Sequence, residues 1–329
     1  MLGKPIALGM KRAVLFFTII CIILLTPVCS FAQSVEEAVT LGEKYYAGDG
    51  VEQDYDKAFA CFMEAAEAGN LDAINRVGQM YFYGAGTDLD YAKSFEWYSK
   101  AAKAGDANAM SYIGNMYYIG QGVELSYGKA FACFVKAATA GNVDSLRMIG
   151  QMYLFGQGVG QDYAKALMWY DKAVNAGDMH AMEMVGYLYY YGDGVERDYA
   201  KSFALFSKAE ALGSSYAMSM LGESYEKGNG IETDYAKAFE LYSKAAELGD
   251  IAAMYHLGHM YEVGLGMEMD EAAAAEWYAK VIETGDAEYM HDLGDTYSDP
   301  ANPEADSKKA AEWYQRAIEA GYTEDVALE

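Results

Sequence analysis

Cysteine is scarce in this chain, whose 329 residues include only four of them. Cys21 and Cys29 lie in an apolar N-terminal segment, while Cys61 and Cys133 occupy equivalent positions of an internal repeat, two units apart. Helices pack about 8–10 Å apart, so two helix pairs would separate these residues by about 20 Å. A disulfide needs Cα atoms within about 7 Å. We therefore expect no Cys61–Cys133 bridge and a fold that rests on packing without disulfides.

Basic residues and catalytic motifs are also lacking. The chain has 24 lysines and arginines against 49 aspartates and glutamates, a formal net charge of −25. This balance excludes nucleic acid as a partner, because binding it requires basic side chains that neutralise phosphates. No nucleophile stands beside a general base, and the Gly-x-Gly pairs lack the Lys-Ser/Thr of a phosphate-binding loop. We predict a protein that is not an enzyme, with no catalytic residue and no cofactor.

A long apolar run occurs once, from Ala13 to Leu25. It follows three basic residues and precedes the small-x-small sequence Ser30-Phe31-Ala32. The run is shorter than the ~20 residues of a membrane span, so residues 1–32 are predicted to be a secretory signal peptide, cut after Ala32. The mature protein would then be periplasmic or secreted, without a stable membrane span. An uncleaved N-terminal anchor is the alternative.

What the sequence has in abundance is an internal repeat. Glycine recurs every 36 residues in two columns, from Gly69 to Gly321 and from Gly42 to Gly294. Eight units follow one another without insertion or deletion, with a short tail at 322–329: residues 34–69, 70–105, 106–141, 142–177, 178–213, 214–249, 250–285 and 286–321. A period of this size is typical of solenoids, in which each unit buries its apolar face against its neighbours. Residues 33–329 are therefore predicted to form a single domain.

Each unit contains two stretches with helical spacing. In the third unit, Ala109, Ile113 and Tyr117 recur at i, i+4 and i+8, and a second stretch repeats the pattern. Residues of the type that caps helices precede the second stretch of every unit: Asp54, Asp90, Ser126, Asp162, Asp198, Asp234, Asp270 and Asp306. The prediction is an all-α fold, an α-solenoid of eight 36-residue antiparallel helix-pair repeats.

The repeat resembles a known family. Its pattern, Ala-x-x-x-Leu/Ile-Gly-x-x-Tyr-x-x-Gly-x-Gly-Val-x-x-Asp-x-x-Lys-Ala, is similar to the Sel1-like repeat, a relative of the tetratricopeptide repeat, over residues 34–321. The resemblance implies a right-handed superhelix and scaffold or adaptor roles through protein binding. Exported bacterial members are linked to envelope assembly, signalling and host interaction. A cysteine-rich branch is associated with penicillin binding or hydrolysis, but this chain lacks the paired cysteines of that branch.

By analogy with tetratricopeptide repeats, the first helices would line the concave face. Aromatic residues are concentrated on their exposed positions in repeats 2–5, and acidic residues and histidines in repeats 6–8. An aromatic groove of this kind suits an extended peptide or an amphipathic helix. The candidate partner-binding residues are Gln79, Phe82, Tyr83, Asn115, Tyr118, Ile119, Arg147, Gln151, Leu154, Phe155, Tyr187, Tyr190 and Tyr191. The alternative is that these aromatics complete the packing between repeats.

A second candidate site lies in the last two repeats. His259 and Glu262 are spaced i, i+3, and His291 and Asp295 are spaced i, i+4, on adjacent first helices. Two histidines and two carboxylates could bind zinc, although polar lining of the groove also explains them. The leading hypothesis is a scaffold that binds a protein or peptide. A hydrolase of the penicillin-binding or beta-lactamase-like branch and a binder of envelope glycan are the alternatives.

Overall fold

A computed structural model describes residues 34–300 and 305–323. The predicted signal peptide, residues 301–304 and the last six residues of the tail lie outside the described residues. Within the described part, every regular element is an α-helix, and none of these helices is long and apolar enough to cross a membrane. The helices fall into two compact units, divided between Ala176 and Gly177. The prediction of a single domain over residues 33–329 stays a prediction.

Each unit contains four helix pairs, one pair to each repeat. Unit 1 consists of α1 Val35–Ala47, α2 Tyr55–Glu67, α3 Leu71–Tyr83, α4 Tyr91–Lys103, α5 Ala107–Ile119, α6 Tyr127–Thr139, α7 Val143–Phe155 and α8 Tyr163–Asn175. Unit 2 consists of α9 Met179–Tyr191, α10 Tyr199–Glu210, α11 Ser215–Lys227, α12 Tyr235–Glu247, α13 Ile251–Val263, α14 Glu271–Glu283, α15 Ala287–Ser298 and α16 Ser307–Glu319. The two helices of a repeat pack against each other. The predicted all-α solenoid of eight helix-pair repeats is confirmed.

The predicted caps define where the helices begin. The Ser34 hydroxyl accepts a hydrogen bond from the Glu37 amide at 3.2 Å and caps α1. Before α2, the Asp54 carboxylate accepts from the Lys57 amide at 3.0 Å, and its other oxygen lies 2.7 Å from Lys57 Nζ. The hydrogen bonds from Lys57 hold the pKa of Asp54 below its ordinary value. Ser126 is the exception, because its side chain makes no capping hydrogen bond to α6.

The first helix of each repeat crosses the second at a glycine. Gly114 of α5 lies under the ring of Phe134, which is fully buried, and Gly222 of α11 lies under the buried ring of Tyr242. A Cβ at Gly114 would lie 2.7 Å from Phe134 Cε1, closer than ordinary contact allows. The glycine column therefore lets an aromatic ring fill the space between two closely crossing helices.

The connectors rest on the preceding repeat. The second glycine of each Gly-x-Gly pair has a positive φ, as at Gly122, where φ is 71°. A Cβ on Gly122 would lie 2.5 Å from the carbonyl oxygen of Tyr91, the residue that begins the second helix one repeat earlier. Glycine is required there both by the backbone conformation and by the close approach of the two chains.

Tryptophans and basic residues of the second helices take part in the packing. Trp97 packs against the core of the first two repeats, and Trp313 is itself part of the core of the last two. Lys100 Nζ lies 3.3 Å from the centre of the Trp97 ring, and Lys172 repeats this cation–π contact over Trp169 at 3.8 Å. Such contacts stabilise a partly exposed ring by about 0.5–1 kcal/mol each.

The two cysteines in the repeats differ. Cys133 is a free thiol whose pKa is raised by burial, so the expectation that it is not bridged to Cys61 is confirmed. Cys61 is fully buried. The expectation of a fold without disulfides stays a prediction.

Candidate binding surfaces on the first helices

The candidate groove residues separate into an exposed and a buried column. Tyr83, Ile119, Phe155 and Tyr191 are the last residues of their helices, and all four are exposed, Tyr83 by 65%. The residues that precede them are Phe82, Tyr118, Leu154 and Tyr190. Phe82 and Tyr118 are half-buried, and Leu154 and Tyr190 are buried, Tyr190 to 4% exposure. The first column offers surface to a partner, and the second offers little.

The buried column packs against the start of the second helix. The ring of Tyr118 meets that of Tyr127 edge-on at 5.2 Å, and Tyr190 meets Tyr199 in the same way at 5.3 Å. The hydroxyl of Tyr118 donates to Gln157 Oε1 at 2.5 Å. The side chain of Gln151, another candidate residue, lies with its Nε2 3.4 Å from the Tyr118 hydroxyl. For this column, the contacts agree with the alternative interpretation, in which the aromatic residues complete the packing between repeats.

A polar cavity of about 350 Å³ opens on the first helices of repeats 1–3. Arg76 crosses it and donates to both carboxylate oxygens of Glu43, at 2.8 and 3.1 Å, and to Gln79 Oε1 at 2.9 Å. Asn75 Oδ1 is buried in the cavity wall and has no hydrogen-bond partner. The wall is completed by Val39, Asp72, Tyr98, Asn108 and Tyr112.

An aromatic cavity of about 170 Å³ adjoins the polar one, and the two share Tyr98 and Tyr112. The rings of these tyrosines stack with centres 4.7 Å apart and planes 20° from parallel. Burial raises the pKa of Tyr98, so this hydroxyl stays neutral. Phe82, Tyr83 and Asn115 line the far side. We call the two cavities together the repeat 2–3 cleft.

Unit 2 carries a different surface, formed by Tyr187, Tyr191, Tyr216, Glu183 and Glu223, which we call the tyrosine–carboxylate surface. The three rings are partly exposed, and those of Tyr187 and Tyr191 are 4.6 Å apart. Burial, followed by the negative field of Glu223, raises the pKa of Tyr191 to about 12. Burial raises the pKa of Tyr216, and the fields of Tyr191, Tyr187, Glu223 and Glu183 add to this effect.

Sequence reasoning missed several of these residues. Variation among the repeats is the signal that makes Arg147 and Gln151 candidate binding residues. Arg76 and Tyr112 vary in the same way, because the other repeats have threonine, methionine, histidine or aspartate at their position. Asn75 could not have been found in this way, because its significance is a buried oxygen without a donor.

The proposed zinc residues are held by other contacts. His259 is buried and its ring is nearly parallel to that of Tyr255, with centres 6.3 Å apart. Glu262 accepts hydrogen bonds from Lys309 Nζ at 2.8 Å and from the Tyr278 hydroxyl at 2.9 Å. These bonds help to lower the pKa of Glu262 against the opposing effect of burial.

His291 and Asp295, the other two proposed zinc ligands, lie close to each other and to Asp292. His291 Nδ1 lies 3.6 Å from Asp295 Oδ2. In residues 34–300 and 305–323, the one group of three close metal-ligating side chains is His291, Asp292 and Asp295, of which both aspartates are exposed. The structure therefore does not assemble His259, Glu262, His291 and Asp295 into one group.

Comparison with known proteins agrees with this architecture. The family model for the Sel1 repeat matches eight times, at residues 41–70, 71–106, 107–142, 143–178, 180–214, 215–250, 251–286 and 287–322. A comparison with curated proteins found no match. A protective antigen of uropathogenic Escherichia coli with an SLR fold is similar at 32% identity and a TM-score of 0.71, over 88% of this chain and 62% of the antigen.

A Sel1 repeat protein from Oxalobacter formigenes is similar at 32% identity and a TM-score of 0.68, over 76% of this chain and all of that protein. The chain thus spans less than two thirds of the E. coli antigen and the whole of the O. formigenes protein. Eight matches in register, each covering one helix pair, place the chain in the Sel1-repeat family.

Proposed function

We propose that this chain is an exported, non-catalytic scaffold that binds a protein or peptide on the face formed by its first helices. The family is one of repeat scaffolds, whose usual work is protein interaction. The observation that carries the proposal is the repeat 2–3 cleft, where Arg76 and Tyr112, which lie outside the repeated packing columns, meet the buried Tyr98 of the helix crossing in a concave surface.

The chemistry of the cleft suits an extended polypeptide. Asn75, Arg76 and Asn108 line the polar cavity, and amide and guanidinium groups of this kind hydrogen-bond the backbone of an extended peptide. Tyr98, Tyr112 and Phe82 form a small apolar pocket that fits one side chain of the same peptide. Spaced polar and apolar subsites of this kind are how grooves recognise extended segments.

Export is the second part of the proposal and rests on the N-terminal sequence. The predicted cut after Ala32 makes Ser34, the cap of α1, the second residue of the mature protein. Cell fractionation followed by mass spectrometry of the intact protein tests this directly. A mature protein beginning at Gln33 in an exported fraction supports the proposal, and a full-length cytoplasmic protein contradicts it.

Site-specific photocrosslinking in living cells tests the binding face. Probes at Tyr83 and Ile119, both exposed beside the cleft, should capture a defined partner. A probe at Glu96, exposed on a second helix, is the matched control. Tyr112→Ala should reduce capture at Tyr83, because it removes a wall shared by both cavities. Equal capture at all three positions, or none at Tyr83 and Ile119, would count against the proposal.

No observation in the described residues supports the hydrolase alternative or the glycan-binding alternative. The hydrolase hypothesis rested on the hydrolase-linked branch of the family and on His259, Glu262, His291 and Asp295, which the structure does not bring together as a set. Purified peptidoglycan in a pull-down distinguishes a glycan binder from a protein binder, and we expect no retention.

A further inference from the structure

We infer that the tyrosine–carboxylate surface of unit 2 binds the cationic side chain, a lysine ammonium or an arginine guanidinium, of a basic peptide segment. The inference deepens the proposed function and rests on it, because it assigns a class of partner to one part of the binding face. It is carried by three features of the surface: open aromatic rings, half-buried carboxylates and an excess of negative charge.

The rings are open to a cation from outside the chain. Elsewhere the chain's own lysines occupy tyrosine faces, as Lys201 does over Tyr189, at 4.9 Å from the ring centre. Among the cation–ring contacts of the described residues, none involves Tyr187, Tyr191 or Tyr216. All three rings are more than a third exposed. A cation within about 6 Å of such a ring is attracted by its negative face.

Glu183, Tyr187 and Tyr191 recur every four residues along α9, and Glu223 follows Tyr216 by seven residues along α11, so each half-buried carboxylate shares a helix face with a ring. Side-chain exposure is 17% for Glu183 and 14% for Glu223. Glu183 accepts a hydrogen bond from the Ser214 hydroxyl at 2.5 Å, which fixes the position of its charge. A charge that is partly withdrawn from water attracts a cation more strongly than a fully solvated one. Together with the rings, the two carboxylates form a partial cage of the type that recognises ammonium and guanidinium groups.

The local charge is negative after the neighbouring groups are counted. Lys227 Nζ pairs with Glu223 at 2.6 Å and is half-exposed, so it neutralises one charge. Glu226 supplies a third carboxylate, 3.6 Å from His256 Nδ1. Burial lowers the pKa of His256, so this imidazole is neutral near pH 7. His180 Nδ1 lies 2.9 Å from Glu183 at the exposed edge. Arg197 adds a second cation, because its Nη2 donates to the backbone carbonyl of Tyr191 at 3.3 Å and its Nη1 donates to the Tyr199 hydroxyl at 3.2 Å. Three carboxylates and two cationic side chains leave the surface with a net negative charge.

In unit 1 the Glu223 column carries one carboxylate, and an arginine already neutralises it. The position of Glu223 in its helix is occupied by Glu43 in repeat 1 and by Gln79, Asn115 and Gln151 in repeats 2–4. The nearby polar cavity holds Arg76, whose guanidinium is already bound by Glu43. Attraction for cations is therefore a property of unit 2 and not of the repeat, which makes it selective recognition.

Fluorescence anisotropy with the full chain tests the inference. The probe is a fluorescein-labelled octapeptide in which lysine alternates with alanine, and its matched control has glutamine in place of lysine. We expect the lysine peptide to bind at least fivefold more tightly than the glutamine peptide at low salt. A fivefold difference corresponds to about 1 kcal/mol, the free energy of one cation–π contact. The preference should shrink as salt is raised, because part of it is electrostatic.

Matched variants separate this site from the general acidity of the chain. Glu183→Gln with Glu223→Gln should weaken binding of the lysine peptide at least fivefold. Glu196→Gln with Glu232→Gln removes the same charge from exposed connectors of unit 2 and should change the affinity less than twofold. Equal weakening by both pairs would overturn the inference, because the attraction would then be nonspecific.

Substitutions at Tyr216 test the rings. Tyr216→Phe keeps the aromatic face and should preserve binding, whereas Tyr216→Leu keeps an apolar group and should lose it. Circular dichroism confirms that each variant is folded before it is scored. Equal binding of the lysine and glutamine peptides by the unmodified chain would overturn the inference. If the probes at Tyr83 and Ile119 still capture a partner in that case, the proposed function stands without it.

Discussion

Substitution of Gly114 by alanine tests the glycine crossing that joins the two helices of a repeat. The new Cβ would lie 2.7 Å from Cε1 and 2.8 Å from Cδ1 of Phe134. The ring cannot move easily, since it is fully buried in the core with Ile149 and Met152. Overpacking costs about 1–3 kcal/mol, and a contact as short as 2.7 Å places this substitution in the upper part of that range, at about 2–3 kcal/mol. The better helix propensity of alanine returns about 1 kcal/mol. We expect Gly114→Ala to lower the free energy of unfolding by about 1–2 kcal/mol.

Gly128 in the first turn of α6 is the matched control. It is exposed, and a Cβ there would meet no atom within 4 Å. Gly128→Ala should therefore raise the free energy of unfolding by about 0.5–1 kcal/mol. Urea titrations followed by helical circular dichroism measure both variants. Adding Phe134→Leu to Gly114→Ala should recover part of the loss, because the two positions are coupled. A Gly114→Ala protein as stable as the unmodified chain would refute this account of the crossing.

Three further outcomes are expected in the same assay. Ser126→Asp should stabilise the chain by about 1 kcal/mol by capping α6 and pairing with Lys129, as the other repeats do. Because such hydrogen bonds lower the pKa of the equivalent Asp54, the gain should be complete above about pH 4 and be lost progressively as the pH falls below that value. Burial lowers the pKa of His256 from 6.5, so the unfolded chain binds a proton that the folded chain refuses. Stability should therefore fall as pH drops below 6.5, and His256→Asn should flatten that dependence. Tyr255→Phe removes the buried hydrogen bond of 2.8 Å to the Tyr297 hydroxyl and should cost about 1 kcal/mol.

The sequence predicts the scaffold well because the scaffold is what repeats. Asp54 and its equivalents cap helices for a local reason, a carboxylate next to free amides, and a local reason can be read from spacing. Gly114 and its equivalents recur because every repeat has the same crossing. Only Ser126 departs from its column, and hydroxyl side chains cap helices often enough that its sequence gives no warning.

The binding surfaces are harder to predict, because exposure depends on contacts between different helices. Tyr190 and Tyr191 are adjacent and chemically identical, yet Tyr190 is buried against Tyr199 and Tyr191 remains open. Nothing in the order of the residues indicates which tyrosine turns inward. The charge contrast between Gln79 and Glu223 is visible in the sequence, but its meaning depends on the rings that lie beside Glu223.

The contact between Gly122 and the Tyr91 carbonyl constrains how this chain can change its length. Gly86, Gly158 and Gly230 make the same close approach to the repeat before them, so a residue added or removed within such a repeat would displace a contact that has no spare room. Whole units of 36 residues can be gained or lost instead, since each brings its own connector and leaves a complete seat for the next. In both genetic exchange and protein engineering, we therefore expect the length of the chain to change by whole repeats, and binding surfaces to be gained or lost one repeat at a time.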